Sequence, residues 1–227
     1  MFYQGVKKAL PVAIGYLPIA ITFGVVARAT GLPSTMIILM SAMVFAGASQ
    51  FVAVNLIASG AGILGIIITI FFVNLRHILM SATTSEKLKD QSKGWLALIS
   101  FGITDESFSI IATDERDRLP RSYVLGLITI PYLAWVGGSA AGVFIGESLP
   151  GLLESSMEIA LYAMFIGLLV PELKRSRSKI KVAGLALFLS LILSWQSLVV
   201  ISEGWVITIT TLISALLAAK FIRVEGD

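Results

Sequence analysis

The sequence has no cysteine, a single histidine and few charges. Without cysteine it forms no disulfide and no thiolate metal site. The lone histidine, His77, and the scattered carboxylates make no HExxH or comparable ligand set, which argues against a zinc enzyme, and no cofactor is expected. No GxxxxGK-type phosphate loop is present, so the chain does not hydrolyse ATP itself. There is also no long polar stretch that would fold as a separate soluble domain. Charged residues make up 14% of the 227, against roughly 25% in a soluble domain. From Ala29 through Leu75 no residue carries a formal charge.

What is present is apolar surface. Hydrophobic residues account for 56%, and the mean hydropathy is +0.91. A membrane helix needs about 20 apolar residues, and Ala9–Ala27, Gly126–Gly146 and Val182–Ser202 hold no charge at all. The chain reads as an all-α polytopic membrane protein with about eight hydrophobic segments, organised as one transport domain over residues 1–227. The segments fall at about Leu10–Ala29, Thr35–Ser59, Ile63–Ala82, Trp95–Thr113, Ser122–Ile145, Ser156–Val170, Val182–Ile201 and Trp205–Phe221. Lys7 and Lys8 precede the first, which is read as a retained signal-anchor helix because apolar spans recur to the end.

Several spans carry features that an ordinary apolar helix has no use for. Pro18, flanked by Gly15 and Gly24, and Pro131, followed by Gly137, interrupt helical ladders and are candidate hinges. In the second span, Gly47, Ala48 and Ser49 are small, and Gln50 and Asn55 are polar at membrane depth. They suit either a small-residue packing seam or a broken helix whose backbone N–H groups face a ligand carboxylate. The third span carries Asn74, Arg76 and His77. A charge at mid-helix costs about 2.5–3.5 kcal/mol on insertion scales. These residues therefore either mark the interfacial end of a span or line a polar cavity. The fourth span has Asp105 and Glu106 at its centre. Either that span is re-entrant and its acids face water, or a carboxylate is buried, with Arg76 or His77 as its natural partner.

Basic residues mark the cytoplasmic side of a membrane protein. With eight crossings, Lys7/Lys8, Arg116–Arg121, Lys174–Lys181 and the Lys220/Arg223 tail fall inside, while Lys87–Lys93 falls outside. Six crossings plus two re-entrant segments, the fourth and one of the first three, repair this. Both termini are cytoplasmic in either case. A faint repeat runs alongside: Pro18 and Gly24 are spaced like Pro131 and Gly137. Phe45-Ala46-Gly47 resembles Phe165-Ile166-Gly167, with Asn74 and Ser194 at equal distance beyond. This is compatible with a four-plus-four duplication, an architecture many transporters use.

Several strings together resemble a family. GYLPIAITFG at Gly15–Gly24, Gly31-Leu32, VFAGASQF at Val44–Phe51, NLRHILMS at Asn74–Ser81, Thr104-Asp105-Glu106 and AMFIGLLVP at Ala163–Pro171 are similar to the AzlC-type branched-chain amino acid permeases. They occur in family order. Where the family pattern often has Asp and Pro around the last string, this chain has Glu158 and Tyr162. The resemblance implies a bacterial inner-membrane exporter of valine, leucine or isoleucine, with methionine as a further candidate. It also implies a small AzlD-type membrane partner.

The residue chemistry suits such cargo. A substrate carboxylate can be held by N–H groups near Gly47, Ala48 and Ser49 or by Arg76, with Gln50 and Asn74 as polar neighbours. An ammonium can be held by Asp105 or Glu106. Phe45, Phe51 and Met80 supply apolar walls, and Asp105, Glu106 or His77 can couple transport to protons. The alternative is a passive facilitator or channel for small zwitterions or ions. An intramembrane enzyme built on His77 with Asp105 or Ser49 has no nucleophile motif behind it, and a purely structural subunit does not account for the polar centres.

Overall fold

The computed structural model describes residues 1–88, 91–147 and 177–195, with isolated residues between 166 and 220. Among them there is no strand. The helices are α1 (Phe2–Ala29), α2 (Ser34–Val44), α3 (Gly47–Ala58), α4 (Ile63–Asn74), α5 (Arg76–Lys87), α6 (Lys93–Phe101), α7 (Asp105–Ala112), α8 (Arg121–Glu147) and α9 (Arg177–Trp195). The chain divides into two compact units: Met1–Phe51 with Asn74–Leu161, and Val52–Val73 with Tyr162–Asp227. Large apolar side chains such as Ile14, Leu39, Leu133 and Phe144 in the first unit, and Ile63, Leu64 and Phe71 in the second, lie exposed. Phe2–Ala29, Ile63–Lys87 and Arg121–Gly146 are each long and apolar enough to cross a membrane. This is a membrane protein whose outward faces are made for hydrocarbon.

In the first unit α1 and α8 form the spine, and they run parallel. Phe2 lies against Gly126, Gly5 against Tyr123, Gly24 against Ser139 and Ile21 against Gly142. A Cβ added at Gly5, Gly24, Gly126 or Gly142 would sit between 2.0 and 2.2 Å from a carbonyl oxygen of the opposite helix. Backbone therefore touches backbone along the seam, which is how helices associate where no hydrophobic effect drives them together. Both helices continue through Pro18 and Pro131. Because α1 and α8 point the same way, an even number of crossings precedes α8.

Two segments between them turn back. Ser41 and Gln50 would be roughly 13.5 Å apart along a straight helix, yet Gln50 Nε2 donates to Ser41 Oγ at 3.0 Å. The reversal is made at Phe45, a non-glycine residue in the left-handed region (φ 41°, ψ 45°). Such a bulky residue there costs of order 1–3 kcal/mol. The second reversal joins α6 to α7 through Gly102 and Ile103. Both ends of that segment lie together. Lys87 Nζ donates to the carbonyls of Ala112, at 3.2 Å, and Asp114. Leu119 N–H donates to Lys87 O at 3.1 Å. Arg121 bonds Gln91, and its guanidinium lies 5.7 Å from the Trp95 ring centre. The segment thus enters and leaves by one face.

Ile63–Lys87 is the remaining span. Its helix is interrupted at Leu75, which keeps helical angles (φ −53°, ψ −31°), so α4 runs on into α5. By length and hydropathy it joins α1 and α8 as a helix able to cross a membrane. Within the first unit, the α2–α3 and α6–α7 turns have the form that the re-entrant alternative expects. Lys87 and Gln91 lie beside residues 112–121, and the start of α1 lies beside Tyr123. In the second unit Gly60 (φ 72°) ends α3, with Gly60 N–H bonded to Ile57 O and Ala61 N–H to Leu56 O, a left-handed helix stop that favours glycine.

Three boundaries differ from the sequence reading. α1 starts at Phe2 rather than Leu10, because a helix this long carries Lys7 and Lys8 beyond the apolar layer. The fourth segment is two short helices, so its acids open α7 instead of sitting at mid-helix. The third is interrupted at Leu75, inside a window of unbroken hydropathy. Most of the sixth span, with Glu158 and Tyr162, lies outside the described residues, as do Phe165 and Gly167 of the proposed repeat.

Candidate functional site

Aromatic side chains from the middles of α1 and α8 meet the two re-entrant tips. Tyr16 lies at the midpoint of α1, Leu75 at the midpoint of Ile63–Lys87 and Trp135 beside the midpoint of α8. The Tyr16 ring stands edge-on to Phe45 at 6.3 Å and to Trp135 at 5.6 Å. Phe45, at the tip of α2–α3, packs 6.3 Å from Phe101, at the tip of α6–α7, and both contact Tyr132. The two re-entrant tips and both long helices thus share one aromatic cluster.

The acids sit where a helix start favours them. Thr104 caps α7: its hydroxyl accepts from Ser107 N–H at 3.3 Å, and Ser107 Oγ accepts from Thr104 N–H at 2.8 Å. Asp105 and Glu106 occupy the first turn, beside the positive end of the helix dipole. Arg76, the first residue of α5, meets Asp105 with Nη1 to Oδ2 at 2.8 Å. Their side chains remain 45% and 52% exposed. This is the arginine partner anticipated for one of the acids. Glu106 accepts a hydrogen bond from the Tyr16 hydroxyl. Tyr16 was absent from the sequence-derived candidates, although its place two residues before Pro18 in the GYLP string was a signal.

The small-residue start of α3 has its own network. Ser49 Oγ donates to Asn74 Oδ1 at 2.6 Å, linking the α3 start to the α4 end. His77 Nδ1, as the N–H tautomer, donates to Asn74 O at 3.2 Å. Gln50 is buried, accepts from Trp135 Nε1 at 2.9 Å and donates to Ser41, which donates to Ser139 at 2.7 Å. A Cβ at Gly47 would press the Trp135 ring at 2.6 Å, so glycine here admits the indole. Ala48 lies beside Ser49 in the same turn. Gly24 lies in the α1–α8 seam. Phe51 is buried against Phe23, and Met80 sits in the core cluster around Ile99 and Tyr123. Among the described residues no group of three or more His, Asp or Glu forms a metal site.

The AzlC protein family matches residues 11–149. The chain belongs to that family. A membrane protein of Archaeoglobus fulgidus is 36% identical over 195 residues, covering 84% of both chains. The inner membrane protein YgaZ of Escherichia coli is 29% identical, over 78% of this chain and 75% of its own length. The branched-chain amino acid transport protein AzlC of Bacillus subtilis is 29% identical, over 82% and 74%. No solved structure matches. The family match spans both re-entrant segments, the Leu75 interruption, α8 and α1 from residue 11 onward.

Proposed function

We propose that this chain is a secondary transporter that exports branched-chain amino acids across the cell's inner membrane, with both termini cytoplasmic. The observation that carries the reading is the Arg76–Asp105 pair, half-exposed at the interruptions of two helices. A zwitterion offers the same two charges. Its carboxylate replaces Asp105 on Arg76, where a planar guanidinium binds it in two-pronged fashion, and its ammonium takes the freed Asp105. Exchanging one charge pair for another avoids exposing an uncompensated charge at depth. Phe45, with Phe101 and Tyr132 alongside, offers the apolar wall an aliphatic side chain needs. Membership of the family and the name of the Bacillus subtilis relative, a branched-chain amino acid transport protein, support this cargo.

Further parts of the proposal follow from the same site. Gly47, Ala48, Ser49, Gln50 and Asn74 line its α3 side. Asp105, Glu106 and His77 are the groups for proton coupling. Pro18, Gly24 and Pro131 are the points at which the spine yields. A small AzlD-type membrane subunit is the partner. The test is uptake of radiolabelled valine, leucine and isoleucine into inverted vesicles under an imposed pH gradient, with and without such a subunit. Gradient-dependent accumulation supports the reading. Equilibration without accumulation makes the chain a passive facilitator.

A further inference from the structure

The proposed exchange at Arg76 and Asp105 requires the α6–α7 tip to stay in register with the rest of the site. The two re-entrant segments are held very differently. The α2–α3 turn is tied to α8 by the buried Ser41–Ser139–Gln50–Trp135 network and by the indole against Gly47. The α6–α7 turn rests on α8 through Gly102, where a Cβ would meet Ile128 at 2.7 Å, and through Phe101 against Tyr132. Its polar ties to the centre are Arg76–Asp105 and Tyr16–Glu106. The first is the pair that substrate would open. The second is then the polar tie that remains to the centre.

We propose that Tyr16 is the positioning residue that registers the two tips. Its hydroxyl holds Glu106 on α6–α7, and its ring rests on Phe45 of α2–α3 and on Trp135 of α8. Among the described contacts, no other side chain touches both tips and α8 while also bonding an acid of the proposed site. When substrate occupies Arg76 and Asp105, this bond keeps α7 seated. When Glu106 lets go, the tip is free to move against α8. The consequence for transport rests on the exporter reading, but the seating of the tip does not.

The absence of native cysteine allows a test that needs no substrate. Ile103 at the tip is 2% exposed, so Ile103→Cys in otherwise unaltered protein reports opening by its reaction rate with N-ethylmaleimide in membranes. Tyr16→Phe keeps the ring and removes the hydroxyl. It is expected to speed labelling roughly tenfold, the scale of losing one hydrogen bond to a charged group. Glu106→Ala should do the same, and Tyr16→Phe should add nothing on top of it. Glu106→Gln retains an acceptor and should label as slowly as the parent. Equal rates in the parent and Tyr16→Phe overturn the proposal, as does an additive effect of the two removals. In vesicles, Tyr16→Phe should lower the maximal rate severalfold with little change in KM. A raised KM at unchanged rate would instead make Tyr16 a substrate contact. Absence of transport in every variant and the parent sinks the exporter reading and leaves the labelling result standing.

Discussion

Arg76 and Asp105 meet at 2.8 Å from the first residues of two different helices, one in a crossing span and the other in a re-entrant segment. Removing either charge strands the other. Arg76→Gln and Asp105→Asn are each expected to reduce vesicle accumulation by more than about tenfold, the scale on which a charged group loses its partner. The reversed pair, Arg76→Asp with Asp105→Arg, should restore folded protein without restoring transport, because the two charges then meet the substrate's carboxylate and ammonium in exchanged places. Full activity of Asp105→Asn removes the pair from the mechanism.

The α1–α8 seam predicts a sharp contrast between glycines. Gly142→Ala drives a methyl to within 2.1 Å of Ile21 O, so the helices must part at a cost of about 1–3 kcal/mol. Gly15→Ala meets nothing within 4 Å and should gain roughly 0.5–1 kcal/mol from helix propensity. Thermal unfolding in detergent should move in opposite directions for the two variants.

Trp135→Phe leaves the buried Gln50 Oε1 without its donor. The expected loss is about 1–3 kcal/mol, read as a lower Tm. Combining it with Gln50→Leu should recover part of that loss, since no polar atom is then stranded.

Outside the membrane layer, Asp114 anchors residues 113–121. The Arg116 guanidinium bonds both of its carboxylate oxygens, at 2.8 and 2.7 Å, and the Arg116 backbone N–H and the Tyr123 hydroxyl each donate a further bond at 3.1 Å. The Arg116 hydrogen bonds hold the carboxyl well below its ordinary range, and the same bonds hold the Arg116 guanidinium above its own. The depressed carboxyl contributes stability above the unfolded value near about 4, and that stability drains away as pH falls through the folded value. The Tm of the parent should therefore fall on acidification below about pH 4, and Asp114→Asn should flatten that part of the profile. Parallel curves exclude Asp114 as the source.

The re-entrant α6–α7 segment makes a topological prediction. Gly94→Cys and Asp117→Cys, both exposed, should react with a membrane-impermeant maleimide from the same side of sealed vesicles. Ala29→Cys, at the far end of α1, should react from the other. Opposite sidedness for Gly94 and Asp117 means the segment crosses.

Much of this site was legible because its chemistry is local. Arg76, Asp105 and Glu106 stand out against a chargeless background, and an acid in an apolar stretch implies a basic partner. The reversals were not decidable, because α6 and α7 placed end to end have the hydropathy of a single span. Contacts between its two ends, such as Lys87–Ala112 and Arg121–Gln91, separate the two cases. Gly47 shows the same limit from another side. Its smallness suits a ligand or a neighbour equally, and the neighbour, Trp135, lies far along the chain. Gly138, Gly142 and Gly146, four apart on α8, all face α1, a spacing the sequence reading did not use.

The side-by-side spine also dictates an order of assembly. Gly5 rests on Tyr123, so α1 enters the bilayer long before the helix that covers its bare backbone has been made. At about 5–20 residues per second of synthesis, that interval is on the order of ten seconds. Through it, both re-entrant segments must be accommodated beside a half-finished scaffold. Substitutions along the seam should therefore act first on the yield of inserted protein in the growing cell, before any effect on the finished transporter is felt.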